Sequence, residues 1–287
     1  MLLTVIGDLV EDVVVWTGAT VRRGTDNPAA VHRSRGGSAA NVAAFAAADV
    51  PTRFVGRVGA DAAGNALVDA LARMGVDVRV QRGGRTGSIV VIVEPDGERT
   101  MYPDRGASAE LEPVDADWLD GTTLVHVPAY GYASGAGAPA VLSALASARA
   151  RGAAVSIDAS ATALVDKVGA GRMRELLALL APEFVFANAD EEAALGLLDA
   201  PPSPGSLIVV KDGPRPATLM HADGTTERVP AIEVAGVRDT TGAGDAFAAG
   251  FLAASMAGAS PREACIAGHG LAARVLRSPG ASATPVT

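Results

Sequence analysis

The segment Asp239-Thr240-Thr241-Gly242-Ala243-Gly244-Asp245-Ala246-Phe247 gathers the residue types best able to do chemistry in this chain of 287 residues. An acid and two threonines lead into two glycines, and a second acid stands at the start of an alanine-rich stretch. Glycine lets backbone N–H groups come close to a ligand. The first turn of a helix presents unpaired N–H groups and a partial positive charge, which suit an anion. Asp245 falls in that first turn, where a carboxylate can accept the proton of a hydroxyl that attacks phosphorus. Asp245 could equally be a helix-start acid that complements the dipole and nothing more, and spacing alone leaves both open.

Other chemistries are missing from the sequence. Lys167 and Lys211 are the only lysines and neither follows a glycine, so the Gly-Lys-Ser/Thr phosphate loop is absent. The protein-kinase signatures His-Arg-Asp and Asp-Phe-Gly are absent too. Gly7 is followed by Asp8-Leu9-Val10, which is not the glycine pattern of a dinucleotide-binding turn. His32, His126, His221 and His269 lack ligand spacing, and with Cys265 as the lone cysteine neither a zinc site nor an internal disulfide is expected.

A helix that opens at a ligand needs a scaffold to deliver it there. Residues 2–6 form a short apolar run ended by Gly7, the pattern of a buried strand. Residues 13–16 and 21–23 are β-prone pieces around Thr17-Gly18. Gly36-Gly37 precede a small-residue helix over 38–48, with Ser38 as its expected cap. Residues 53–58 read as a strand and 62–74 as a helix ended by Gly75. Residues 88–93 and 99–102 flank Pro95-Asp96-Gly97, a strong hairpin signal. After a strand over 123–127 the chain alternates: helix 141–150, strand 155–157, helix 172–180, strand 184–187, helix 190–197 and strand 207–210. Strand-like pieces over 217–220 and 226–229 precede two final helices over 244–257 and 262–276. Such alternation predicts an α/β fold with a mostly parallel sheet covered on both faces. The two hairpin regions break it and predict a small β lid from segments near 12–35 and 86–106. Pro201-Pro202-Ser203-Pro204-Gly205 is too short to separate domains, so a single domain over 1–287 is expected.

The run Asp239 to Phe247, continued by Ala248-Ala249-Gly250-Phe251, closely resembles the C-terminal signature of the ribokinase-like (PfkB) carbohydrate kinase family. Gly36-Gly37-Ser38-Ala39-Ala40-Asn41-Val42-Ala43 resembles that family's N-terminal signature, in the right order and separation. The resemblance covers nearly the whole chain and implies a ribokinase-like three-layer sandwich with a β lid. It also implies transfer of the γ-phosphate of ATP to a hydroxyl of a small carbohydrate, with Mg²⁺. Asp245 would be the general base, and the backbone of Gly242, Ala243 and Gly244 the anion hole. An aspartate at its ordinary pKa of ~3.9 is a weak base for an alcohol, which a loose transition state tolerates because proton removal comes late.

The same resemblance assigns further roles. Asn188 and Glu191 match an Asn-x-x-Glu motif that orders Mg²⁺ and its waters, and oxygen donors suit that ion. Lys211 and Gly213, after a Leu-Ile-Val-Val strand, would approach the nucleotide, and Gly268 would border adenine. Asp12 would accept hydrogen bonds from neighbouring sugar hydroxyls. Gly36 and Gly37 would let the backbone approach the sugar, Asn41 would bond a hydroxyl, and Arg105 would touch substrate or phosphate. Many members of the family bind K⁺ beside the anion hole. The matching positions are Asp239, Thr241, Val275, Ser278, Gly280 and Thr284, although Ser278 and Pro279 depart from the basic residues common there.

Composition narrows the partners. The net charge of −8 argues against nucleic acid, whose binders carry a basic face. No apolar run is long enough for a transmembrane helix and the N-terminus lacks a signal-peptide pattern, so the expected location is cytoplasmic. Simple sugars lead as acceptors. An adenosine-like nucleoside is the alternative, although aromatic residues are only 4% of the chain and a base slot wants them. A non-catalytic ligand-binding relative is the remaining alternative, and the intact acid and glycines speak against it. Exposed lid strands often need a partner, and similar kinases clasp two lids into a homodimer.

Overall fold

The structure, a computed structural model, describes residues 1–96, 98–133, 135–199, 205–278 and 281. The first half runs β1 (Leu3–Ile6), β2 (Val10–Thr17), β3 (Ala29–Gly36), α1 (Ser38–Ala46), β4 (Thr52–Val58), α2 (Ala62–Arg73), β5 (Asp77–Arg82), β6 (Thr86–Val93) and β7 (Arg99–Gly106). It continues with β8 (Leu124–Pro128), α3 (Ala129–Tyr132), α4 (Ala138–Ala150), β9 (Ala154–Asp158), α5 (Thr162–Val168), α6 (Ala170–Leu180), β10 (Phe184–Asn188) and α7 (Ala189–Leu195). The chain then forms β11 (Leu207–Lys211), β12 (Ala217–Met220), β13 (Thr226–Val229), α8 (Ala243–Met256) and α9 (Pro261–Val275).

The main sheet has the order β13-β12-β11-β10-β9-β8-β1-β4-β5. It is parallel from β11 through β5, and β12 and β13 add antiparallel at one edge. Its central strands are mostly apolar and largely buried because helices cover both faces, with Thr4, His126 and Ser156 as buried polar exceptions. On one face Leu3, Val5, Phe54 and Val209 pack beneath α1, α8 and α9. On the other, Ile6, Val55, Val125 and Ile208 pack beneath α4, α6 and α7. A smaller sheet, β3-β2-β6-β7, stands beside this sandwich as the lid. Among the described residues no helix is long and apolar enough to cross a membrane.

Two strands lie where the sequence pattern does not put them. The partner of β2 is β3, not residues 21–23, because the Asn27 side chain bonds the Arg22 backbone in both directions and holds 21–27 as a loop. Strand β5 is short and charged because it is the edge of the main sheet; its two valines, Val78 and Val80, alternate with polar residues and pack on the core. The Pro201 to Pro204 loop lies outside the described residues.

Candidate active site

In a parallel sheet, ligands gather at the carboxyl ends of the strands, and these ends carry the polar residues. Asp8 follows β1, Asp158 ends β9, Asn188 ends β10 and Lys211 ends β11. Over them stands the lid, enclosing a cavity of about 1140 Å³. Asp8, Asn41 and Asp245 line it from below, and Asp12, Val14, Trp16, Ile89, Val91, Val93 and Met101 line it from the lid.

Asp245 opens α8, whose N-cap Gly242 has φ 76°, a left-handed conformation that favours glycine. A side chain there would also strike Ala281, with its Cβ only 2.7 Å from the Ala281 Cβ. The N–H groups of Gly242 and Gly244 make no backbone hydrogen bond among the described residues. The expected third donor differs, since the Ala243 N–H bonds the Thr240 carbonyl at 3.2 Å. Two donors hold the Asp245 carboxylate: Ser38 Oγ at 2.6 Å and Asn41 Nδ2 at 2.9 Å. Burial pushes Asp245 up to about 7, against the pull of those two bonds and of Lys211. The site therefore holds a far stronger base than an aspartate of ordinary pKa.

Ser38 corrects one expectation. Ser38 makes no cap bond; Gly37 is the N-cap of α1, and Ser38 turns to Asp245. Asn41 spends one N–H and one lone pair within the protein, which leaves the other N–H and lone pair for a hydroxyl. Its amide nitrogen donates to Asp245 and its oxygen accepts from Arg35 Nη1 at 2.7 Å. Arg35, at the end of β3, was not singled out from the sequence. Burial lowers its pKa, while Asp245 and Asp12 hold the guanidinium charged.

Asp12 lies in the cavity beside Gly36, where an added Cβ would come within 2.1 Å of Asp12 Oδ1 and displace the carboxylate. Gly37, at φ 99°, would strike the Asp8 carbonyl at 2.4 Å with any side chain. Burial and neighbouring Asp8 raise Asp12 to about 6, opposed by Arg35. Arg105 Nη1 pairs with Asp8 Oδ2 at 2.8 Å, and its guanidinium lies 3.6 Å above the Tyr130 ring. Arg105 thus lines the cavity as a held cation.

Asn188 and Glu191 form a capping box at the start of α7. Glu191 N donates to Asn188 Oδ1 at 2.9 Å, and the Glu191 carboxylate accepts from the Asn188 backbone and amide nitrogens at 2.8 Å each. With both oxygens engaged, the pair fits Mg²⁺ through water rather than by direct ligation. Burial and Asp158 raise the Glu191 pKa, against Lys211. Lys211 Nζ bonds Asp158 Oδ2 at 2.8 Å and lies 3.4 Å from where a Cβ on Gly244 would stand, beside the start of α8. Burial pulls Lys211 down, but Asp158 and Glu191 outweigh it and keep the ammonium charged. Asp158 was also missed from sequence, although an acid closing a strand of a parallel sheet is a legible signal. Gly213 lies in the exposed turn after β11.

The remaining expected residues lie around α8 and α9. At Gly268 an added Cβ would stand 2.8 Å from the Phe247 carbonyl oxygen, so glycine there allows α8 and α9 to pack closely. Asp239 and Thr241, expected beside a monovalent cation, hold Arg99 with their side chains. Arg99 Nη2 pairs with Asp239 Oδ1 at 2.8 Å and Arg99 Nη1 donates to Thr241 Oγ1 at 2.7 Å. Val275 is buried in the core and its carbonyl accepts from Ser278 N at 2.9 Å. Gly280 and Thr284 lie outside the described residues.

Comparison with known proteins bears on this geometry. The family model described as pfkB family carbohydrate kinase matches residues 2–287. An ATP-dependent ribose-1-phosphate kinase of Halopiger xanaduensis is 34% identical over 233 residues, 77% of this chain and 73% of that protein. A fructokinase of Klebsiella pneumoniae is 29% identical over 268 residues, 87% and 82% of the two chains. Among solved structures, adenosine kinase from Sinorhizobium meliloti superposes with a TM-score of 0.86 at 25% identity, covering 97% of this chain and 94% of that one.

Proposed function

Because this chain belongs to the pfkB family of carbohydrate kinases, we propose that it moves the γ-phosphoryl group of ATP to a hydroxyl of a small polyol, with Asp245 as general base. The observation that carries this reading is one cavity shared by a raised-pKa carboxylate, a glycine-lined helix start and a second carboxylate, Asp12. The acceptor hydroxyl would sit between Asp12 and Asp245. As its oxygen bonds to phosphorus and the bond to the ADP oxygen breaks, its proton passes to Asp245. A base with pKa about 7 combines a usable ionised fraction at neutral pH with real driving force. Charge on the transferring group would be met by the N–H groups of Gly242 and Gly244, the start of α8 and Lys211. Mg²⁺, held through water by Asn188, Glu191 and Asp158, would neutralise phosphate charge. The lid would exclude water, which otherwise competes as acceptor.

A sugar is the leading acceptor because Asp12 can take bonds from neighbouring hydroxyls. A nucleoside is the second reading, favoured by the apolar lid wall of Val14, Trp16, Ile89, Val91 and Met101, which a planar base could lie against. The test is ADP release across pentoses, hexoses, ribose 1-phosphate, sugar acids and nucleosides, with Asp245→Asn alongside. Release with no acceptor in the panel would remove the reading; release with nucleosides alone would select the second. We also propose a second copy of the chain against the lid's outer side, where Val31 and Tyr102 are 56% and 57% exposed. Sedimentation of the full chain tests that partner.

A further inference from the structure

Arg99 opens β7 at the end of the lid far from the hinge, directly after the β6–β7 turn, paired with Val93. From there its guanidinium crosses the cavity to the loop before α8. One nitrogen pairs with Asp239 Oδ1 at 2.8 Å and another donates to Thr241 Oγ1 at 2.7 Å. Asp239 Oδ1 also accepts from Thr241 N at 2.7 Å, closing the turn that leads into Gly242. A single carboxylate oxygen therefore holds both the turn and the lid. The same strand carries Arg105 at its other end, paired with Asp8 beside β1. Six residue steps of strand place the Arg99 and Arg105 backbones about 20 Å apart, so the two ends of β7 are each pinned to the sandwich by an arginine.

We propose that Arg99 is a positioning residue that couples lid closure to assembly of the phosphate-binding turn. With the lid down, its planar fork fixes Asp239 and Thr241 together, a two-point geometry that a lysine cannot reproduce, and so sets the N–H groups of Gly242 and Gly244. With the lid up, the fork leaves and the turn loosens. The anion hole is then complete only when the acceptor is covered, which limits loss of phosphate to water. This rests on the kinase reading above.

The test compares wild type, Arg99→Ala and Arg99→Lys as full chains, by hydrogen exchange and by kinetics. In Arg99→Ala, amide exchange is expected to rise together in the β7 tip and in residues 240–246. Misplacing the turn should lower kcat by about 10–100-fold, with acceptor-independent ATP hydrolysis rising relative to transfer. Arg99→Lys should recover part of both while leaving Tm near wild type, which also covers an alanine variant that fails to fold. Unchanged exchange in 240–246, or a lowered Tm with kcat intact, would overturn the proposal. Exchange is read without turnover, so it decides the coupling even if no acceptor in the panel is phosphorylated.

Discussion

Around Asp245, polar atoms have fixed partners inside a shell of alanine and glycine, whereas the lid meets the same cavity with a four-stranded sheet of half-exposed side chains. At the phosphate end, Ser38, Asn41 and Arg35 form one hydrogen-bonded network with Asp245, and Asp158 pairs with Lys211 beside it, on α1, β3, β9 and β11. At the lid, the polar links from β7 to the sandwich are the arginine contacts at its two ends. Preorganised charge is what phosphoryl transfer needs most, and rigid packing supplies it. On the reading proposed above, acceptor choice would fall to the lid, whose strand β7 meets the sandwich through Arg99 and Arg105.

The largest effect should come from the rigid end. Asp245→Asn removes the proton acceptor at nearly constant shape and should lower kcat by ~10²–10⁴-fold, with the KM for ATP little changed. Steady-state ADP release measures this, and parental turnover would remove the assigned role. The same variant should change the pH dependence of stability. Raising Asp245 from 3.8 to about 7 means that the folded state binds this proton more tightly than the unfolded state. Its contribution therefore falls as pH climbs between those values and is constant above. Thermal melts of Asp245→Asn between pH 4 and 7 should lose that downward component.

What the sequence revealed divides along the same line. Asp245, Gly242 and Gly244 are contiguous, so their chemistry reads directly from spacing. The partners that tune Asp245 stand 207 and 204 residues away, at Ser38 and Asn41, and local rules assigned them a helix cap and a sugar contact. The parallel sheet was legible because its buried strands are short apolar runs closed by turns. Strand β3, Ala-Ala-Val-His-Arg-Ser-Arg-Gly, carries no such run, because it pairs on one side only and faces water. Arg99 was invisible as a contact because nothing near it in sequence points to residues 239 and 241.

Asp12 tests the lid end. Asp12→Asn keeps the shape but weakens acceptance from acceptor hydroxyls, and a bond to a charged group is worth about 1.5–3 kcal/mol. The expected result is an acceptor KM raised by about 10–100-fold, with kcat much less affected. A kcat loss at unchanged acceptor KM would move Asp12 from the lid's recognition surface to the transfer machinery and blur the contrast between the two regions.

A smaller effect sharpens the electrostatics. Wild-type kcat/KM should rise with pH and level off above about 7, where Asp245 has ionised. Lys211 pulls that ionisation down, whereas Asp158 pushes it up. Lys211→Met removes the ammonium and leaves Asp158 and Glu191 uncompensated, so the rising limb should move to higher pH. A limb that stays in place would separate Lys211 from the base and confine it to nucleotide binding.

The smallest effect is expected where the two regions touch. The positions suited to a monovalent cation, Asp239 and Thr241, give their side chains to Arg99. A guanidinium already neutralises the carboxylate there, so replacing potassium chloride by choline chloride at equal ionic strength should leave the wild-type rate unchanged. In Arg99→Ala that carboxylate loses its cation, and potassium should then raise the rate above that in choline. Strong potassium activation of the wild type would mean that the loop before α8 holds an ion in addition to the lid's arginine. The phosphate end would then be rigid independently of the lid, and the coupling between the regions would be weaker than the geometry implies.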